Sequence, residues 1–321
     1  MVRERYNAEN INAAALAVFP MLLAQWLPNG EQRGETYFAI NPHRDDRKLG
    51  SFQIDTRSGR WRDHAIGVGG RDAISLFAYL KADGNYGIGA RLLANEPIVR
   101  GAIASGATAP AAKPANLAKS AANTALARTI YERGSRVEDT AAEAYLRKRG
   151  LRPTSAWDGL RTSKQPYPGL GWHPTLIGPF LTLGGVLSGV QRTYLQPNGA
   201  KLDANPARLM LGHISGCAIR LGNPADELVI CEGLEDGLTL HQELDGIPVW
   251  VAGGAGFLST MRIPDTVKRL IVAADNDEAG ERAARQTADL HSFGNRQCWI
   301  RRPSPAFKDF NDELRGIKRG S

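Results

Sequence analysis

Cysteine is scarce in this sequence, and its spacing argues against two kinds of stabilising site. Only three cysteines occur among the 321 residues, Cys217, Cys231 and Cys298. None of them stands in a C-x₂-C pair, so neither a disulfide framework nor a cysteine zinc site is supported. Cys231 and Cys298 lie in apolar runs, where a buried thiol is the simplest interpretation.

Long apolar runs are also missing. No stretch approaches the ~20 consecutive apolar residues that a membrane-spanning helix needs. The first residues do not have the pattern of a secretory signal peptide. We therefore expect a cytoplasmic protein that has no membrane partner.

Acidic residues are fewer than basic ones. The chain has 33 acidic and 40 basic residues, which gives a net charge of +7 and a pI near 9.4. An excess of positive charge favours a polyanionic partner, most often nucleic acid. The bias is weak evidence alone, but it gains weight where acids gather at one place and leave the remaining surface more positive.

Acidic residues do gather after two apolar, strand-like runs in the last third of the chain. One run ends at Ile230 and is followed by Glu232, and another ends at Val272 and is followed by Asp275 and Asp277. Strand and helix patterns alternate here, which predicts a parallel sheet with crossover helices. Ligands bind beyond the carboxyl ends of such strands. Carboxylates that converge there would suit Mg²⁺ or Mn²⁺.

This order of motifs resembles the TOPRIM domain that DnaG-type primases, topoisomerases and some nucleases share. The resemblance spans roughly Glu227 to Leu314 and includes six acids in the family's order. These acids are Glu232, Asp236, Asp275, Asp277, Asp309 and Asp312. The alternative is that Glu232 and Asp275 are ordinary strand-end and helix-capping acids, because short motifs match by chance.

The resemblance implies metal-dependent nucleotidyl transfer at these acids. Glu232, Asp275 and Asp277 would be the catalytic residues, and all six acids would serve a site for two Mg²⁺ or Mn²⁺ ions. Glu232 would be either a general acid/base or a metal ligand, and the sequence does not separate the two roles. Gly253 and Gly254 would let the backbone approach a nucleotide closely, or would simply form a tight turn.

The region upstream resembles the mixed α+β subdomain that precedes TOPRIM in DnaG-type primases. The resemblance covers the glycine-rich segment 184–192 and two later basic positions. In that family, basic residues face the template and the incoming nucleotide. The resemblance therefore assigns nucleotide and template binding to Arg192, Lys201 and Arg208, which would otherwise be exposed strand residues.

The N-terminal region resembles the zinc-ribbon domain of bacterial and phage primases, but without its metal ligands. The Ser51-Phe52 strand, Trp61 and the segment 69–74 match the family pattern. Asn41 stands where the first cysteine belongs, and Asp63 and Ile66 occupy the two later cysteine positions.

Only His43 and His64 remain as plausible ligands, whereas a tetrahedral zinc site wants about four. We expect no structural zinc, and a ribbon that is held by its apolar core. A small unrelated β-rich domain is the alternative.

Cations and a ring in this region suggest contact with single-stranded DNA. The residues are Arg57, Arg60, Trp61 and Arg62. Arginines would hold phosphates, and the indole would stack on bases. The same residues could equally form an ordinary solvated face.

These patterns predict an α/β fold, α+β overall, with four parts. Residues 1–100 would form the degenerate zinc-ribbon-like DNA-binding domain, and residues 101–122 an Ala/Pro linker. Residues 123–225 would form the mixed α+β N-terminal subdomain of a primase core. Residues 226–321 would form the TOPRIM domain with its parallel sheet.

The leading hypothesis is a DNA primase that makes short RNA primers from NTPs on single-stranded DNA. A TOPRIM nuclease or other strand-breaking enzyme and a non-catalytic DNA-binding replication partner stay open as alternatives. The sequence has no G-x₄-G-K-[ST] loop, which argues against an attached helicase motor. Any unwinding would then come from a partner, such as a separate replicative helicase.

Overall fold

The structure is a computed structural model, and it describes residues 8–44, 48–107, 114–292 and 296–320. The chain divides into two compact units, Met1–Lys113 and Pro114–Ser321. Among the described residues, no helix combines the length and the apolar character that crossing a membrane requires.

The first unit combines an antiparallel sheet with helices. Its strands pair in chain order, so the sheet is a meander. The elements are α1 (Ala8–Ala17), α2 (Phe19–Trp26), β1 (Glu31–Arg33), β2 (Thr36–Ala39), β3 (Phe52–Asp55), β4 (Trp61–Asp63), β5 (Val68–Gly70), α3 (Ala73–Lys81), α4 (Tyr86–Asn95) and α5 (Pro97–Ala104).

Aromatic packing forms part of the core of the first unit. Side chains alternate between the two faces of a strand, which turns Phe52 and Trp61 inward. The Trp61 ring lies 4.5 Å from that of Tyr79 and 5.6 Å from that of Phe52, centroid to centroid. Its indole N–H donates to Ser75 Oγ at 3.2 Å. The sheet is thereby fixed to α3.

A buried hydrogen-bond network occupies two positions where a zinc ribbon would carry cysteines. Asn41 Nδ2 donates to Asp63 Oδ2 at 2.7 Å and to the Tyr79 hydroxyl at 2.8 Å. Arg44 Nη1 lies 3.2 Å from the other oxygen of Asp63, whose side chain is fully buried. His43 Nε2 lies 2.8 Å from the Tyr79 carbonyl oxygen. An amide and a carboxylate therefore join these two positions directly.

The second unit contains two sheets. Its elements are α6 (Pro114–Glu132), α7 (Ala141–Lys148), β6 (Arg161–Tyr167), β7 (Gly171–Leu181), β8 (Leu187–Tyr194), β9 (Arg208–Gly212), β10 (Ile219–Leu221), β11 (Glu227–Cys231), α8 (Leu234–Glu243), β12 (Val249–Val251), α9 (Ala255–Leu258), β13 (Arg269–Ala273), α10 (Glu278–His291), β14 (Gln297–Arg301) and α11 (Phe310–Arg315). Strands β6 to β9 form a four-stranded antiparallel sheet in chain order.

The second sheet has the order β10-β12-β11-β13-β14. Strands β12, β11, β13 and β14 are parallel, and β10 adds an antiparallel edge. The predicted parallel sheet and its crossover helices are confirmed. The overall class is α+β, as expected.

The two sheets of the second unit share a core. Phe180 of β7 and Tyr145 of α7 belong to one buried cluster with Val229 and Val251 of the parallel sheet. Helix α6 covers the other face of the antiparallel sheet, where its residue Ala127 is buried in a cluster with Ile177 and Val190. The subdomain 123–225 and the parallel sheet are therefore packed together.

The segment expected as an Ala/Pro linker is helical in part, and the boundary between the two units lies within it. Helix α5 continues to Ala104, and helix α6 begins at Pro114, so residues 101–104 and 114–122 are helical. Alanine has the highest helix propensity, and proline is tolerated in the first turn. Residues 108–113, which belong to the same expected linker, lie outside the described residues.

The network around Asp63 gives a test of stability in the first unit. Burial favours a raised pKa for Asp63, but the hydrogen bonds from Asn41 and Ala65 and the charge of Arg44 outweigh it and lower this pKa. The stabilisation is therefore complete above the unfolded pKa of about 4, and it is lost as the pH falls through the folded pKa.

We expect Asp63→Ala to lower the unfolding free energy by about 2–3 kcal/mol at pH 7, because Asn41 loses a charged partner. Glu31→Ala, which removes an exposed, solvent-screened ion pair to Arg33, should leave the unfolding free energy nearly unchanged. Urea unfolding at pH 7 and pH 3.5 measures both variants. Equal effects of the two substitutions, or an Asp63 effect that does not change with pH, would contradict this interpretation.

Candidate functional site

Strands β11 and β13 bring the predicted acids to one edge of the parallel sheet. The two strands pair in parallel, with Cys231 opposite Ala273. Glu232 directly follows β11, and Asp275 comes two residues after Ala273. The backbone N–H of Gly253, beyond β12, donates to the Glu232 carbonyl at 2.9 Å. The predicted side-by-side arrangement of these strand ends is confirmed.

Asp275 lies where the negative charges converge. Burial and the charges of Glu232, Asp309 and Asp277 raise its pKa to about 7, and the opposing charge of Lys308 is weaker. These acids are therefore close enough to act on one another, although they come from three separate segments of the chain. We call Glu232, Asp275, Asp277 and Asp309 the rim acids.

Asp236 extends the rim acids into the interior. Only 8% of Asp236 is exposed, and one of its oxygens accepts a hydrogen bond from the Asn311 N–H at 2.9 Å. Burial and the charges of Asp309 and Asp275 raise its pKa well above the usual range. The side-chain amide of Asn311 also donates to Thr239 Oγ1 at 3.0 Å. These bonds attach α11 to α8 beside the acids.

Two of the rim acids also cap helices. Asp277 accepts a hydrogen bond from the N–H of Gly280 at the start of α10, and Asp309 accepts one from Asp312 at the start of α11. Asp277 and Asp309 therefore cap helices in addition to their effect on Asp275. Asp312 lies 3.8 Å from a guanidinium nitrogen of Arg315.

The rim acids fit a divalent cation in charge and in donor type. Hard carboxylate oxygens are the usual ligands of Mg²⁺ and Mn²⁺. Burial and neighbouring carboxylates raise the pKa values of Asp275 and Asp236, and a bound cation would offset both effects. Within the described ranges, however, no three His, Cys, Asp or Glu side chains are arranged around one metal position. The donors are present, whereas a finished coordination shell is not.

Glu235 was not among the candidate residues, yet it is the best-compensated acid of this region. It is 6% exposed and accepts a hydrogen bond from the Tyr145 hydroxyl of α7. Burial favours a raised pKa for Glu235, but the charge of Lys201, this hydrogen bond and the charge of Arg149 outweigh it and lower the pKa. Glu235 therefore remains ionised and joins α8 to the preceding subdomain.

The three basic candidates divide between the two faces of the antiparallel sheet. Arg208 is directly opposite Thr193 in the register of β8 and β9, so it shares the face of Thr193. Arg192 is the next residue along β8 and points to the opposite face, where its guanidinium lies 5.8 Å from the Tyr194 ring centroid. The structure groups Arg208 and Lys201 near Tyr145 and Glu235, but not Arg192.

Gly253 has a packing role that accounts for its residue type. Its φ is +82°, a backbone conformation that disfavours side chains. A Cβ atom there would lie 2.5 Å from the Phe180 ring. The turn after β12 thus rests on β7, which supports the tight-turn alternative for this residue. The neighbouring Gly254 has more room, since a Cβ there would approach only Phe257, at 3.6 Å.

The four DNA-binding candidates of the first unit lie in different environments. Arg60 and Arg62 are exposed on either side of Trp61, while Arg57 Nη1 lies 3.0 Å from Glu35 Oε1. Trp61 is only 7% exposed and belongs to the core. The expected stacking of Trp61 on bases is corrected, because the strand alternation that exposes the two arginines buries the ring.

Two protein-family models match the second unit. The model of the Toprim domain matches residues 227–318. The model of a domain of unknown function, DUF7146, matches residues 121–221. A search among curated proteins found no relative of this chain.

Several solved structures of primases are similar to this chain at low sequence identity. The Aquifex aeolicus primase (zinc-binding and RNA polymerase domains) is 15% identical, with 98% of this chain and 83% of that chain covered and a TM-score of 0.41. The primase fragment of the bacteriophage T7 primase-helicase protein is 15% identical, with coverage of 87% and 96% and a TM-score of 0.42. A DNA primase domain from Pseudomonas aeruginosa is 16% identical, with coverage of 61% and 75% and a TM-score of 0.44. At TM-scores below 0.5, these likenesses do not establish a shared activity.

The contact between Tyr145 and Glu235 gives a second test of stability. We expect Tyr145→Phe to lower the unfolding free energy of the second unit by about 1–3 kcal/mol, because a buried carboxylate loses a hydrogen-bond donor. Tyr167→Phe removes an exposed hydroxyl that donates to the Pro206 carbonyl, and it should cost about 0.5 kcal/mol or less. Thermal and urea unfolding at pH 7 compare the two variants. Similar small losses in both would show that the buried contact does not stabilise the unit.

Proposed function

We propose, from the match of residues 227–318 to the model of the Toprim domain, that this protein is a DNA primase. It is a nucleotidyltransferase that joins NTPs into a short RNA primer on a single-stranded DNA template. The reaction takes place at the rim acids, and the template reaches them past Lys201 and Arg208.

One observation carries the proposal: Glu232 and Asp275 follow neighbouring parallel strands and so meet at one edge of the sheet, where burial and the charges of Glu232, Asp309 and Asp277 raise the pKa of Asp275 to about 7. A protein gains nothing in stability by holding carboxylates together in this way, since their repulsion opposes folding whenever they are ionised. Such an arrangement is typical of a functional site. Divalent ions held there would balance charge on phosphate oxygens during nucleotidyl transfer.

The rim acids would hold and position the bound cation. Glu232 and Asp275 lie at neighbouring strand ends, so they would position a bound cation from two sides. Asp277 and Asp309 are fixed by the helices that they cap, which limits their movement. Phosphoryl-transfer catalysis is mostly positioning and electrostatic stabilisation, and rigid carboxylates provide both.

Basic residues would attract the nucleic acid and the nucleotide. Lys201 is exposed and Arg208 is partly exposed, near the Tyr145–Glu235 contact. Lys201 and Arg208 are therefore proposed to bind nucleotide and template phosphates. In the first unit, Arg60 and Arg62 are proposed to contact single-stranded DNA.

Removal of one rim carboxylate gives the decisive test. We expect Asp275→Asn to reduce primer synthesis at least about 100-fold, because a cation loses a charged ligand. Synthesis is measured with labelled NTPs, single-stranded DNA and Mg²⁺ or Mn²⁺. The same substitution should leave the melting temperature at pH 8 unchanged or higher, since a raised carboxyl pKa means that the ionised group opposes folding.

The matched control is Asp226→Asn. Asp226 directly precedes β11 at the opposite end of the sheet, where it forms an exposed ion pair with Lys268 at 3.0 Å. This variant should make primers at the wild-type rate. Degradation of the template by the wild type without synthesis would replace the proposal by a Toprim nuclease. Synthesis by Asp275→Asn at the wild-type rate would exclude the rim acids as the catalytic site.

A further inference from the structure

A tryptophan stands exposed at the tip of the hairpin formed by β6 and β7. Trp172 is 69% exposed, although a large aromatic side chain ordinarily gains from burial, and nearby Leu170 is 51% exposed. By comparison, Trp61, Trp157 and Trp250 are all buried. Packing among the described residues therefore does not explain the exposed ring.

The hairpin holds this ring on a rigid support. On the opposite face, Tyr167 packs edge-to-face on Tyr194 with ring centroids 5.0 Å apart, and its hydroxyl donates to the Pro206 carbonyl at 3.1 Å. His173 Nε2 lies 3.0 Å from the Leu170 carbonyl oxygen, which closes the loop. The indole is thus presented by an ordered strand.

The register places Trp172 on the same face of the sheet as Arg208. Trp172 and Leu176 share a face because side chains alternate along β7. Leu176 is opposite Thr193 on β8, and Thr193 is opposite Arg208 on β9. One face therefore carries Trp172 at the hairpin tip and Arg208 near the Tyr145–Glu235 contact.

The charge of this region suits a polyanion. Between Asp158 and Asp203 the sequence contains no acidic residue, while it contains Arg161, Lys164 and Lys201. Lys164 is exposed, and it lies opposite Pro174, two residues from the indole. An exposed ring beside cations, without carboxylates in the same segment, matches the combination that holds single strands: cations attract phosphates and aromatic faces stack on bases.

We propose that Trp172 is a stacking platform for a base of single-stranded nucleic acid. The identification of that strand as the template rests on the proposed primase function. Trp172 and Phe180 are eight residues apart on β7, which corresponds to about 26 Å at ~3.3 Å per residue. Phe180 packs against the Gly253 turn beside the rim acids.

The length of β7 determines how many nucleotides a nucleic-acid strand needs in order to reach Trp172. At about 3.4 Å per stacked nucleotide, 26 Å corresponds to about eight nucleotides. A strand that starts at the rim acids therefore reaches Trp172 only when it extends about eight nucleotides beyond them. Shorter strands bind without the platform.

Equilibrium binding of 5′-fluorescein-labelled oligo-dT of 4, 8, 12 and 16 nucleotides, at one fixed salt concentration, tests the inference. The full chain is compared with Trp172→Ala, Trp172→Phe and Trp299→Ala. Trp299 is 45% exposed on β14 and serves as the matched control. We expect Trp172→Ala to weaken binding of the 12- and 16-mers about five- to 150-fold, the range for loss of one stacked base.

Trp172→Ala should leave the affinity for the 4-mer unchanged. Trp172→Phe should retain most of the affinity for the 12- and 16-mers. Trp299→Ala should bind all four oligonucleotides as tightly as the wild type does. Affinity of Trp172→Ala for the 12- and 16-mers within twofold of the wild type overturns the inference, as does an equal loss in Trp299→Ala. Binding that depends on Trp172 in a protein that makes no primers refutes the primase proposal alone. Primer synthesis with no dependence of binding on Trp172 refutes the platform alone.

Discussion

Repulsion among carboxylates is the constraint on which the site depends. Glu232, Asp275 and Asp309 come from separate segments, and folding brings their charges together against a clear electrostatic cost. The parallel sheet imposes this approach, because β11 and β13 are neighbours and both end at the same edge. The core that holds the two strands must therefore outweigh the repulsion, and a cation would relieve it.

A second, compensated acid links that site to the rest of the second unit. Glu235 follows the same strand as Glu232, but it points towards Tyr145, Lys201 and Arg149 and so remains stable as an anion. Adjacent acids at the start of α8 thus have opposite electrostatic conditions: Asp236 faces other carboxylates, and Glu235 faces cations. The contact of Glu235 with Tyr145 keeps α7 in a defined position against α8.

The sequence was sufficient for the parallel sheet, since local strand and helix periods are visible in it, and for the approach of Glu232 to Asp275. The sequence was insufficient where the direction in which a side chain points depends on partners that are distant along the chain. The role of Glu235 depends on Tyr145, which is ninety residues away along the chain. The separation of Arg192 from Arg208 depends on strand register. A tryptophan in a strand fits a core and a stacking site equally well, and only burial separates Trp61 from Trp172.

The bond between Asn41 and Asp63 has a consequence for the conditions under which the first unit stays folded. Cysteine ribbons lose their metal when their thiolates are oxidised, since it is the thiolate that binds the metal. An amide paired with a carboxylate has no thiol to oxidise and no ion to lose. The contact between residues 41 and 63 is therefore insensitive to thiol oxidation.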